Sequence, residues 1–378
     1  MVRRSRLRDL SDLGQSVWID YLSRDLLETG ELARLIQADA VVGVTSNPTI
    51  FEKAISGGSA YDVQLSELVG RERESKEIFY ELAARDIAAA CDLLLPVWET
   101  TGGLDGYVSW EVDPNLAGDR EASVEEAQRL HAWIDRPNLY VKLPATVAGV
   151  GAIEDMVTAG KNINVTLIFS LRRHEEVVEA YIRGLERFVA EGGDPAEVHS
   201  VASFFVSRVD TESDTRLSAI GGHDELEGKL GIANAKLGIA NAKLAYQSYL
   251  EAFSGPRWDR LAAKGATRQR CLWASTSTKN PAYADVMHVE GLIGPETVNT
   301  MPAETIRAFQ DHGRVAETLT QGVDEARRLL AELERAGIDA GDVVLTLEQA
   351  GVAKFVDSFA TLLHGVEAKR GAMVASHG

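Results

Sequence analysis

Lys142 is the residue whose surroundings point most directly to chemistry. It lies in Leu139-Tyr140-Val141-Lys142-Leu143-Pro144, and lysine is almost never fully buried unless it is paired. Desolvation disfavours the ammonium and favours the neutral amine, the form that adds to a carbonyl and forms a Schiff base. The same lysine could instead sit in a buried ion pair with Asp20 or Glu111. These two carboxylates close apolar runs of their own, Ser16-Val17-Trp18-Ile19-Asp20 and Val108-Ser109-Trp110-Glu111. Schiff-base aldol chemistry uses two such groups, one acting through water at the carbinolamine and one directly on the hydroxyl beside the breaking bond. Asn47, Asn164 with Thr166, Ser203 and Ser275 occupy similar positions at the ends of apolar runs. Arg208, in Ser207-Arg208-Val209-Asp210, can hold a phosphate through two parallel hydrogen bonds, or pair with Asp210. Lys279 offers a further cation close by in sequence to Ser275.

Positioning these side chains at one place requires a particular framework. Short runs of strand character recur at 16–22, 40–46, 106–112, 138–143, 162–168, 200–206, 270–275 and, most weakly, 296–301. Amphipathic stretches such as 76–95 and 171–192 lie between them, the latter with Val177, Val178, Tyr181, Leu185, Phe188 and Val189 at helical spacing. Strands alternating with helices predict βαβ units and a parallel sheet. Eight candidate strands without a GxGxxG fingerprint predict an α/β fold, a (β/α)8 TIM barrel, over a doubly wound sheet. In such a barrel the strand C-termini converge, which gathers the polar residues named above at one face. Burying so many polar groups requires that they bond to one another. Residues 1–378 read as one barrel domain, with 313–378 a helical C-terminal segment packed on it.

The chain has 378 residues and a formal net charge of −18. That sign disfavours nucleic acid and anionic membrane as partners, and an anionic substrate would need a locally basic pocket. No apolar region follows the basic Arg3, Arg4, Arg6 and Arg8, and no stretch approaches the ~20 apolar residues that cross a bilayer. A cytoplasmic protein is expected. Cys91 and Cys271 read as buried free thiols. The histidines show no metal-ligand spacing, and neither a P-loop nor a Ser-His-Asp arrangement is visible. No metal and no cofactor are expected. One feature is unusual: Gly-Ile-Ala-Asn-Ala-Lys-Leu occurs twice in tandem, at 231–237 and 238–244. Seven residues are nearly two helical turns, so the duplication keeps the apolar face and could lengthen a helix by roughly 10 Å. One copy is expected to pack against the barrel, while the extra turns would push the loop after Arg208 outward.

The segments 44–55 (VTSNPTIFEKAI), 108–114 (VSWEVDP), 140–146 (YVKLPAT), 163–170 (INVTLIFS), 201–210 (VASFFVSRVD) and 273–283 (WASTSTKNPAY) together resemble the transaldolase family. The resemblance spans about residues 18–369, and GLIGPETVNTMP at 291–302 is similar to the longer bacterial branch. It implies a barrel that transfers a dihydroxyacetone unit between sugar phosphates in the pentose phosphate pathway, as a monomer or homodimer. The donors implied are sedoheptulose 7-phosphate and fructose 6-phosphate, the acceptors glyceraldehyde 3-phosphate and erythrose 4-phosphate. By that resemblance Lys142 is the Schiff-base lysine and Asp20 the acid/base at the hydroxyl. Glu111 works with a water that Thr166 orients. Asn47 and Asn164 bind hydroxyls, Ser203 and Phe205 line the pocket, and Arg208 binds phosphate. Shorter members carry a second phosphate-binding arginine where this chain has Ser277, leaving Lys279 as the nearest cation. Two other functions fit the same residues: a class I aldolase releasing free dihydroxyacetone, and a non-catalytic sugar-phosphate-binding barrel.

Overall fold

The β-branched and aromatic runs form eight parallel strands that close into a barrel in chain order. They are β1 (Gln15–Ile19), β2 (Val41–Thr45), β3 (Tyr107–Glu111), β4 (Leu139–Pro144), β5 (Ile163–Ile168), β6 (Ser200–Phe205), β7 (Arg270–Ala274) and β8 (Thr297–Met301). The computed structural model describes residues 4–69, 74–221, 236–279, 281 and 283–377. Each expected strand coincides with an observed one, including the faint eighth. The barrel closes through pairing of β1 with β8, from Gln15 opposite Thr297 to Ile19 opposite Met301.

Side chains alternate along each strand between the helices outside and the barrel interior. On the outer side Val17, Ile19, Val44, Val141, Leu143 and Val165 join a core with helical Leu82, Ile87, Ile153, Val177 and Leu185. On the inner side Trp18, Tyr107, Tyr140, Val201, Leu272 and Val298 fill the barrel. The Tyr107 and Tyr140 rings stack with centroids 3.9 Å apart, and Trp18 stacks on Tyr140 at 6.0 Å. At the N-terminal end Arg270 donates to the Ser16 hydroxyl at 2.8 Å and pairs with Asp105 at 3.0 Å. The lower barrel is therefore a packed plug. The period of two that puts Tyr140 inside also puts Lys142 inside, one layer nearer the C-terminal mouth.

At that mouth the turns into helices end on capping residues. Side-chain oxygens of Asn47, Thr146 and Ser170 accept from the backbone N–H of Ile50, Gly149 and Arg173 at 3.0, 3.0 and 3.1 Å. Each such cap stabilises its helix by about 1 kcal/mol. Cys91 and Cys271 are both buried and free, as expected.

The second copy of the heptad, 238–244, lies in the helix Lys236–Ala252. Gly238 donates its N–H to Asp210 at 2.8 Å, and a β-carbon there would stand 2.3 Å from the Val206 carbonyl oxygen. Only glycine permits that approach. Asn241 Nδ2 donates to the Phe169 carbonyl at 2.8 Å, and Ile239, Ala240 and Ala242 are buried. Tyr246, Tyr249 and Phe253 extend the same buried face and anchor the second copy against the barrel. Most of the first copy, 231–235, and with it the expected lengthening of the helix, falls outside the described residues.

After the helix Ala303–His312 the chain continues into helices Val323–Arg335 and Ala340–His377. The last runs across the barrel mouth, pinned by Arg173 to Glu348 at 3.2 Å and Thr49 to Ser358 at 2.8 Å. Phe359, Leu362 and Val366 join the outer core, while Phe355 joins the inner cluster. This helix does more than pack on the outside of the barrel: it forms part of its upper wall.

Candidate active site

Strand register brings the central residues together. Glu111 on β3 pairs in register with Lys142 on β4, which in turn pairs with Asn164 on β5. Lys142 Nζ donates to the Ser46 carbonyl at 3.0 Å and lies 3.3 Å from Glu111 Oε2. The two residues are 5% and 8% exposed. Lys142 is therefore buried in the barrel and ion-paired, with Glu111 and not Asp20 as its partner. Asp20 lies one residue beyond β1, and its Oδ1 accepts from the Thr45 hydroxyl at 2.7 Å. Thr45 is in turn 2.7 Å from the Thr300 hydroxyl.

Desolvation raises Asp20 above the usual carboxylate range, opposed by the nearby Lys142 charge and the Thr45 hydrogen bond. Desolvation likewise raises Glu111, with the Lys142 charge again the main opposing influence. Two carboxyl groups that hold protons more readily than free ones, both within electrostatic reach of one amine, suit proton transfer.

A second polar chain stands behind the cavity. Ser203 donates to Asn164 Oδ1 at 2.7 Å, and Asn164 Nδ2 donates to the Ser109 hydroxyl at 3.0 Å. The Thr166 hydroxyl is buried and has no hydrogen-bond partner among the described residues. Beside it β5 is irregular: its register shifts between Val165 and Ile168, and Leu167 takes a left-handed φ of 60°. Ser275, at the end of β7, has φ 55°. Such conformations cost about 1–3 kcal/mol each and cluster where side chains must be aimed.

At the other end of the cavity Arg208 holds its guanidinium over the Phe205 ring, 5.2 Å from the centroid. Its alternative partner Asp210 is engaged elsewhere, with Gly238 and His288. Ser275 is 2.9 Å from the Ser207 hydroxyl, and Lys279 Nζ donates to Ser277 at 2.6 Å. Burial lowers both Arg208 and Lys279 from their ordinary values, and for Lys279 the Arg208 charge adds to the effect.

The cavity enclosed is about 140 Å³. Asp20, Asn47, Lys142, Thr166, Ser203, Phe205, Arg208, Ser275 and Lys279 line it. Glu111 and Asn164 lie behind that wall, in contact with Lys142 and Ser203 respectively. Ser277, the position noted where shorter members carry arginine, also lines it, as do Thr45, Thr300, Pro302 and Phe355, which were not singled out from sequence. Thr45 and Thr300 carried a usable signal, since each is a polar residue at the end of a strand-like run. Phe355 carried none, because its place on a long helix resembles any other apolar position. A larger apolar groove of about 820 Å³ runs between the helix Leu171–Ala190 and the C-terminal helices, but holds none of the amine and carboxylate set.

A family profile described as Transaldolase/Fructose-6-phosphate aldolase matches residues 17–366. A transaldolase of Parafrankia sp. (strain EAN1pec) is 50% identical over 368 residues, covering 97% of this chain and 98% of the relative. Transaldolase 1 of Streptomyces avermitilis is 50% identical over 363 residues, covering 95% and 94%. A transaldolase of Thiobacillus denitrificans is 48% identical over 358 residues, covering 94% and 98%.

Proposed function

The chain belongs to the transaldolase/fructose-6-phosphate aldolase family, and from that premise we propose how the residues at the barrel mouth divide the work of a transaldolase. Membership carries transfer of an aldehyde or ketone unit between sugar phosphates through a lysine Schiff base. Lys142 is the amine that adds to the carbonyl of sedoheptulose 7-phosphate or fructose 6-phosphate. Glu111, through a water oriented by Thr166, moves the protons that let the carbinolamine lose water and become an iminium. Asp20 takes the proton from the hydroxyl beside the scissile carbon–carbon bond. The electrons of that bond flow into the iminium, leaving an enamine on Lys142 and releasing the aldose phosphate. An acceptor, glyceraldehyde 3-phosphate or erythrose 4-phosphate, then adds to the enamine and recovers the proton from Asp20. Hydrolysis frees the product ketose and regenerates the amine.

Asn47 uses its carbonyl oxygen to cap a helix, so its NH₂ end is the one that holds a substrate hydroxyl. Asn164 acts through Ser203, whose hydroxyl it accepts. Phe205 walls the pocket, while Arg208, Ser275 and Lys279 hold the phosphate.

The observation that carries this reading is Lys142 Nζ, buried between the Ser46 carbonyl and Glu111. Incubation with fructose 6-phosphate, borohydride reduction and peptide mapping should place a mass adduct on the peptide containing Lys142. An adduct on another lysine, or none, overturns the assignment. Product analysis with and without glyceraldehyde 3-phosphate separates transfer from release of free dihydroxyacetone: transfer requires the acceptor.

A further inference from the structure

The C-terminal helix Ala340–His377 reaches the phosphate end of the cavity. Gly351 sits so low that a β-carbon there would stand 3.0 Å from Leu167 Cδ2 and 3.5 Å from Phe169 Cζ. The helix thus rests on the end of β5, beside Thr166. One turn later Phe355, 6% exposed, forms part of the wall that also contains Arg208, Ser275 and Lys279. Ser358, a further turn on, is tied to Thr49. Lys354 falls between these fixed points, is exposed, and has no ion-pair partner among the described residues. Arg208 and Lys279 likewise lack a carboxylate within ion-pair distance among the described residues.

Arg208 and Lys279 line the cavity and Lys354 stands exposed on the helix beside it. In a chain of net charge −18, such a cluster of cations without a carboxylate partner among the described residues favours an anion between them. We propose that Lys354, carried by the C-terminal helix, is a third cation of the phosphate subsite with Arg208 and Lys279, and so helps select phosphorylated over unphosphorylated sugars. The mutual influence of these charges agrees with this: partial burial first, then the Arg208 charge, lowers Lys354, and Lys354 in turn helps lower Lys279. The inference deepens the assignment of that end of the cavity to phosphate and rests on it.

The test compares wild type with Lys354→Gln, Lys354→Arg and, as a control of equal charge change, Lys264→Gln, an exposed lysine before β7. Lys354→Gln should raise KM for fructose 6-phosphate about five- to tenfold, the effect of one charge-assisted contact at a partly exposed site, with kcat within about twofold. Lys354→Arg should restore it. Inorganic phosphate binding, measured by calorimetry, should weaken by a similar factor in Lys354→Gln and requires no Schiff base. Borohydride trapping of unphosphorylated dihydroxyacetone on Lys142 should be the same in all variants. Unchanged KM and unchanged phosphate binding in Lys354→Gln, or an equal loss in Lys264→Gln, overturns the role of Lys354. Failure of wild type to trap at Lys142 would instead overturn the Schiff-base assignment, leaving the phosphate measurement to decide on Lys354.

Discussion

Asp210 follows Arg208 by two residues in the helix Ser207–Ile220, yet its carboxylate is turned to other partners. Oδ1 accepts from the Gly238 N–H at 2.8 Å, and Oδ2 lies 2.9 Å from His288 Nε2. The guanidinium is left over Phe205, facing the cavity. One neighbour thus ties together three helical segments while the other stays available to substrate. Replacing Asp210 with Ala should therefore cost about 2–3 kcal/mol in denaturant unfolding, because it strands a buried imidazole and a buried N–H. Arg208→Ala should change stability by less than about 1 kcal/mol and raise KM for the phosphorylated donor by roughly 10- to 100-fold. A large stability loss from Arg208→Ala would show that the arginine is structural.

Asp20 links catalysis to pH-dependent stability. Desolvation raises its carboxyl above the free value. In the unfolded chain it ionises first as pH rises, near the reference of about 4. Its stabilising contribution is therefore complete below that value and is lost as pH climbs through the folded value. Near neutral pH the folded protein bears the cost of a desolvated charge. Asp20→Asn should accordingly raise the melting temperature at about pH 7.5, with the gain shrinking toward about pH 4. The same variant should lose about 10²- to 10⁴-fold in kcat, the usual value of a positioned acid/base. Thermal melts across pH decide the first part: a gain that grows in acid contradicts the sign of the shift.

The Ser109–Asn164–Ser203 chain predicts non-additive mutations. Asn164 is fully buried, and its oxygen and nitrogen both bond to serine hydroxyls. Asn164→Ala should destabilise by about 1–3 kcal/mol, and Ser203→Ala by less. A double-mutant cycle between them should give a coupling above about 0.5 kcal/mol, since they share one hydrogen bond. Additive effects would mean that the two do not act as a unit.

The tandem heptad gives a deletion experiment. Lys229-Leu230 precedes the first copy as Lys236-Leu237 precedes the second, so removing 231–237 restores the same junction in front of Gly238. The contacts of the second copy, Gly238 to Asp210 and Asn241 to Phe169, are kept. The shortened chain should retain transaldolase activity within about threefold and stability within about 1 kcal/mol. Loss of activity with an intact melt would show that the first copy reaches the cavity.

The sequence by itself determined the barrel and the lysine at its centre. Alternation of apolar runs with amphipathic stretches is local information, and so is the period of two that carries Lys142 inside once Tyr140 is inside. Polar residues at strand ends marked most of the cavity wall for the same reason, because all parallel strands finish at one face. The tertiary structure alone decided who pairs with whom. Glu111 rather than Asp20 lies against Lys142 because of strand register, which depends on barrel closure and not on either segment. Asp210 leaves Arg208 because Gly238, 28 residues later, brings an N–H to it. Phe355 enters the cavity because a helix that begins at Ala340, far beyond β5 in the chain, settles on Leu167. Such long-range contacts leave no trace in local pattern, since any apolar position on a helix looks alike until its neighbour across space is known.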